Sequence, residues 1–214
     1  MPIIPADFPT LEKQLSPERL ARYRLAMAGN LEKAMHLYHW NMAVAEAFYS
    51  PLQTLEVIVR NALGDKLKSA FGHQWYLANN VQYLRYPQPE MLAAAISELS
   101  RRNAAIDHGR IVAELNFGFW AGLLGKRYET NLWRPLFRHA FPNAPKPFLR
   151  KNVHEPLETL RLFRNRIAHH EPIFNRALTD DHSSILQLIG WISPEAALWT
   201  AQTSRVPIVL QQRP

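Results

Sequence analysis

Apolar residues recur every three or four positions along most of this chain, and that spacing constrains its fold more than any other feature. Such a period turns one face of each segment toward a core as a helix, whereas half-buried strands would alternate. Only 8 glycines interrupt 214 residues, and 47% of them are hydrophobic against 20% charged. The expected class is therefore all-α, a helical bundle with additional peripheral helices. The length suits one domain over residues 1–214, with a substantial core.

Local punctuation predicts the elements. Ser16 as a cap and Pro17 at the first helical position open a helix that runs to Gly29–Asn30. A second covers about Leu31 to Tyr49 and stops before Pro51, where a third begins and continues to Phe71, closed by Gly72. Further helices are predicted from Pro89 to Arg102, Asp107 to Leu124 and Glu129 to His139, followed by a loop at Pro142, Pro145 and Pro147. The next opens at Pro156 and closes by Glu171, because Pro172 disfavours helical geometry in the residue before it. Asp180 to Ile192 and Pro194 to Thr203 complete the set, with no repeat and no linker.

The absence of cysteine excludes disulfides, thiolate zinc sites and a cysteine nucleophile, and suits a reducing cytosol. Met1 to Pro9 lacks the basic and apolar regions of a secretory signal, and no apolar run is long enough to span a bilayer. A cytoplasmic protein without membrane association is expected. The net charge of +7 and pI near 9.9 favour a polyanion, most commonly nucleic acid, although the excess reads as modest and spread along the chain. No glycine-rich phosphate loop and no nucleophile elbow occur, which disfavours NTP-driven and serine-hydrolase chemistry.

One helix breaks its own pattern. With Leu160 at zero on a helical wheel, Leu157, Phe163 and Ile167 share an apolar face of about 120°, and Arg164 falls inside it at about 40°. A core-facing guanidinium is costly unless it is paired or reaches a polar cleft. Asn165 and His169 lie together on the other side at i, i+4, with His169 roughly 140° from Arg164, so a shared site needs the arginine to bend around or a second subunit to complete it. The residue types suit RNA cleavage without a metal. His169 can move a proton at the ribose 2′-hydroxyl, Arg164 can hold the phosphate, and Asn165 can orient either group. The alternative is structural: a buried Arg164 ion pair with Glu56 or Glu158, and a His169 that meets the negative end of the helix dipole.

Other candidates are weaker. Glu56 and Arg60 stand at i, i+4 in the favourable order for an ion pair, and with Asn61 they read either as neighbours of the arginine motif or as a bracing polar network. Neither His36 with His39 nor His169, His170 and Glu171 has recognised zinc spacing, so no metal and no other cofactor is expected. The six tryptophans could stack on unpaired bases but read as core, and Arg101, Arg102, Arg110, Lys66 and Lys68 read as solvated faces that could border an RNA path.

The segment Leu162-Phe163-Arg164-Asn165-Arg166-Ile167-Ala168-His169-His170-Glu171-Pro172-Ile173 resembles the hallmark of the bacterial Abi-like (abortive infection) family of the HEPN superfamily. Stretches at 37–41, 55–61, 71–75, 117–120, 197–199 and 204–206 match in order, so the resemblance covers about residues 18–210. It implies an α-helical HEPN fold, commonly a homodimer whose motifs face each other across a cleft. It also implies a metal-independent endoribonuclease that leaves a cyclic phosphate, with RNA as partner and a role in phage defence or as a toxin. Arg164, Asn165 and His169 take the catalytic positions. Arg60, Asn61, Glu56, Arg166 and His170 are the surrounding candidates. Some members of the superfamily only bind RNA or nucleotides, and no neutralising partner can be named from these residues.

Overall fold

Asp7 begins the structure by capping a helix with its own carboxylate, which accepts from the Thr10 amide at 3.2 Å and its hydroxyl at 2.6 Å. These bonds hold the Asp7 carboxyl below its ordinary range. The computed structural model describes residues 7–214, so the expectation for the opening segment falls mostly on residues 1–6, outside the described residues. All regular elements among them are helical, with no strand. The fold is all-α. No helix among the described residues is long and apolar enough to cross a membrane.

Helix α1 (Phe8–Leu15) was not predicted; α2 (Pro17–Ala26) was, and Ser16 Oγ accepts from the Arg19 amide at 3.3 Å as its cap. The axis of the molecule is α3 (Leu31–Phe71), 41 residues in one helix. The predicted break at Pro51 does not occur. Proline leaves the Ala47 carbonyl without its helical donor and typically costs ~3 kcal/mol in a helix interior. The buried stripe Leu37, Val44, Phe48, Leu52, Leu55, Val59, Leu63 and Leu67 crosses Pro51 without a phase change. At roughly 1.5–3 kcal/mol per buried aliphatic or aromatic side chain, that burial outweighs one lost hydrogen bond.

Helix α4 (Gln88–Arg101) lies close to its predicted span. The helix expected over Asp107 to Leu124 is two: α5 (His108–Glu114) and α6 (Phe117–Leu123). Leu115 turns extended and ends the first, and Asn116 caps the second, its Oδ1 accepting from the Phe119 amide at 3.0 Å. The bend lets Phe117, Phe119 and Trp120 all bury, which a straight amphipathic helix could not arrange. The Glu129 to His139 stretch is a single π turn, Glu129–Trp133, and a short 3-10 turn, Phe137–Ala140, interrupted around Pro135.

Helix α7 (Arg150–Ala168) starts six residues before its predicted opening at Pro156. The side chain of Asn152 turns back to accept from the Leu149 amide at 2.9 Å, a better start signal than the proline within the helix. Helices α8 (Leu178–Ile192), α9 (Pro194–Thr203) and α10 (Val206–Leu210) follow, the last unpredicted. Helix α3 packs on α2, α8 and α10 along its length and on α7 beside them. The buried apolar side chains form one contiguous cluster.

Candidate functional site

The C-terminal end of α7 is built by backbone geometry. His169 is its C-cap, and His170 adopts φ +56°, the left-handed conformation usual for glycine. The Glu171 amide donates to the Arg166 carbonyl at 2.8 Å and the His170 amide to the Ile167 carbonyl at 3.0 Å, a complete Schellman closure. Two arginines pin the turn: Arg19 donates to the His170 carbonyl at 2.8 Å and Arg166 to the Pro172 carbonyl at 2.7 Å. Asn41 accepts from the amides of Ile173 and Phe174 at 2.8 and 3.1 Å and so holds the segment that leaves it. Arg166 is thus occupied in holding the turn, and the imidazole of His170 is carried outward by its backbone.

Arg164 does not lie in the core. Leu157, Leu160 and Phe163 are buried, but Ile167 is half-buried and the Arg164 side chain is 45% exposed. The apolar stripe narrows at this end because α3 and α7 leave between them an open cleft of about 350 Å³, lined by Tyr49, Glu56, Arg60, Arg164 and Ile167. Glu56 approaches Arg164 at 3.8 Å, at the limit of an ion pair. The buried-ion-pair alternative fails, since Glu158 is engaged by Arg161 at 2.5 Å and the contact with Glu56 is long and solvent-facing. Glu56 also does not pair with Arg60. Arg60 leans onto α5, donating to the Ala113 carbonyl at 3.4 Å, and its Nε is buried without a hydrogen-bond partner. Asn61 is exposed and lines neither this cleft nor the next.

His169 faces a different depression, formed with His170, Glu171 and the start of α2, where Glu18, Arg19 and Arg22 stand. The single chain therefore separates Arg164 from His169, as the wheel required. It also supplies cations the sequence reading missed: Arg19 and Arg22, one turn apart on α2, border the cleft that His169 enters. Their only sequence signal was an i, i+3 arginine pair far from the motif. Asn165 sits with Arg164, not with the His169 ring. Its Oδ1 is 3.5 Å from Arg164 Nη1, and its link to His169 is the backbone bond at 2.9 Å. A phosphate in the His169 cleft can be held by Arg22, and by the guanidinium nitrogens of Arg19 that are not bonded to the His170 carbonyl, while the imidazole exchanges a proton beside it.

The remaining candidates resolve by position. Trp40, Trp75, Trp120 and Trp133 are buried and Trp191 partly so, while Trp199 is exposed. Arg101 and Arg102 pair with Glu98, Arg102 also with Glu114, and Arg110 with Asp107, so that face is neutralised. Three histidines away from the motif have their pKa lowered, first by burial: His108 with Lys68 adding to the effect, His154 with Arg150, and His182 by burial alone. Among the described residues no three histidine, aspartate or glutamate side chains converge as metal ligands.

No protein-family model, curated protein or solved structure matches this chain.

Proposed function

We propose that the chain is an endoribonuclease of the HEPN type, acting on single-stranded or looped RNA without a metal, as a cytoplasmic homodimer in phage defence by abortive infection. The observation that carries this reading is the exposure of Arg164 and His169 at the end of a helix otherwise anchored in the core. Both side chains are free to meet a ligand, and neither is held by a short ion pair among the described residues.

In this reaction the 2′-oxygen bonds to phosphorus as the bond to the 5′-oxygen breaks, leaving a 2′,3′-cyclic phosphate. His169 takes the 2′-hydroxyl proton, and the leaving 5′-oxygen receives one from a protonated imidazole, supplied by the partner's His169. Arg19 and Arg22 hold the phosphate from within the protomer. Arg164, pointing into the α3–α7 cleft, meets the strand where two copies face each other, and its fixed charge balances the developing negative charge. Arg60 contributes positive charge to that cleft, and Glu56 opposes it.

Incubation of the purified protein with total RNA and EDTA, beside His169→Ala, tests the reading. Discrete fragments with cyclic-phosphate ends from the wild type, reduced roughly 10²–10⁴-fold in the variant, are expected for loss of a general acid–base group. Full cleavage by His169→Ala removes the central claim. The separation of Arg164 from His169 favours one second reading, a module that binds RNA without cutting it. Strongly salt-dependent binding with no product at any concentration is its signature.

A further inference from the structure

The chain's positive charge is concentrated, contrary to the even spread read from the sequence. Between Lys126 and Lys151 stand seven lysines and arginines against a single carboxylate, Glu129, so this stretch carries +6 of the net +7. Arg134 and Arg150 approach Glu129 at 3.4 and 2.9 Å. Among the described residues, Arg138 and Lys146 have no carboxylate partner. These two cations rim a cleft of about 510 Å³, with His139 beside them and Phe141, Pro147 and Phe148 forming its apolar part.

The cleft is preformed. Phe148 packs against Trp133 at 5.5 Å, Trp191 at 5.4 Å and Phe141 at 6.0 Å between ring centroids, yet remains partly exposed. Asn143 fastens the loop to the end of α8 by donating to the carbonyls of Trp191 at 3.1 Å and Ile192 at 3.4 Å. Arg138 Nε donates to His139 Nε2 at 3.2 Å, which orients both side chains along the rim. From 138 to 150 there is no glycine and there are three prolines, so little backbone freedom is lost on binding. An aromatic surface beside unpaired cations matches a base next to its phosphate: every base offers a stacking face, and every phosphate a negative charge.

We propose that this cleft is a second RNA contact, holding one unpaired base against Phe148 and the adjoining phosphates on Arg138 and Lys146. The assignment rests, for its ligand class, on the reading of the chain as a protein that acts on RNA. The cleft lies at the start of α7 and the Arg164–His169 segment at its end, so Arg164 stands fourteen helical residues from Arg150, ~21 Å, and His169 nineteen, ~28 Å. A strand anchored here passes several nucleotides along α7 before it reaches the motif.

The test is fluorescence anisotropy of a labelled twelve-nucleotide single-stranded RNA with the full chain at low salt. Wild type, the double variant Arg138→Ala with Lys146→Ala, Phe148→Leu and His169→Ala are compared. The double variant should bind at least ~10-fold more weakly and show a shallower salt dependence, since two phosphate contacts are gone. Phe148→Leu keeps an apolar side chain in the fold and should weaken binding by about 5-fold or more through lost stacking. His169→Ala serves the cleavage readout alone. Photo-crosslinking with 4-thiouridine should map to residues 138–148 in the wild type. Wild-type affinity in both the double variant and Phe148→Leu overturns the proposal, as does an RNA that the wild type does not bind at low salt. Cleavage abolished by His169→Ala alongside unchanged binding in the cleft variants sinks this inference and leaves the nuclease reading standing. The converse result, cleft-dependent binding with no cleavage by any protein, does the opposite.

Discussion

Arg164 stands on α7 and Arg176 packs against the same helix over Phe163, and their surroundings are opposite. Arg176 makes a two-pronged pair with Asp181, at 2.9 and 2.7 Å, while its guanidinium lies 4.6 Å over the Phe163 ring. Its side chain is 22% exposed and that of Asp181 only 10%. Arg164 has one carboxylate at 3.8 Å and is 45% exposed. Sequence pattern pointed to Arg164 as the candidate buried ion pair, but Arg176 fills that role. The wheel position of a charged residue tells which neighbours it faces. It does not tell whether the facing helix closes over it.

The sharpest way to break this comparison is Arg176→Ala. It strands the Asp181 carboxylate in a mostly buried site, a loss worth roughly 3 kcal/mol or more. For a chain of this size the melting midpoint should fall by roughly 6–12 °C. A drop no larger than that of a surface variant would put both arginines in one class. Arg164→Ala is the counterpart. Its long, exposed pair contributes less than ~1 kcal/mol, so the melt should hardly move. RNA cleavage should nevertheless fall by about 10²-fold, as expected for a lost transition-state donor. A variant that unfolds early while the remaining folded fraction cuts normally would reverse the assignment.

Two smaller effects refine the picture around the same helices. His170→Gly relieves a side chain held at φ +56° and should raise stability by ~1 kcal/mol, read from chemical denaturation midpoints. No gain would show that the His170 side chain makes compensating contacts at the turn. The last is a pH effect. Burial depresses the pKa of His182, whose ring shares a 2.9 Å hydrogen bond with Ser204, and also those of His108 and His154. The unfolded chain then binds more protons than the native one below the ordinary histidine value near ~6.5. This stability is full above that pH and is lost as the pH falls from there through the native values. Melts at pH 7.5 and 5.5 should show the decline, and His182→Gln should flatten it. An equal slope in the variant would remove His182 as a source.

Element identity was largely legible because caps and periods act within a turn or two. Ser16, Gly72 and Pro194 each mark an end where the structure has one. Pro51 and Pro156 misled for one reason: each removes a single local hydrogen bond, and burial along the whole helix outweighs it. Asn116 misled in the other direction, because a period that continued past it was mistaken for one helix. At the candidate site, the angular separation of Arg164 from His169 was readable from helix geometry alone. Arg19 and Arg22 were not, since they reach the motif only through the packing of α2 against the end of α7.

The sequence by itself determined the helical class, most element ends and the angular separation of Arg164 from His169 on α7. These depend on backbone geometry and on neighbours one turn away. Which arginine is buried, which cations border His169 and how the charged stretch from Lys126 to Lys151 frames a cleft were decided by tertiary structure. The physical reason is that burial and the balance of charge depend on contacts between residues far apart in the chain, and those exist only once the helices have packed.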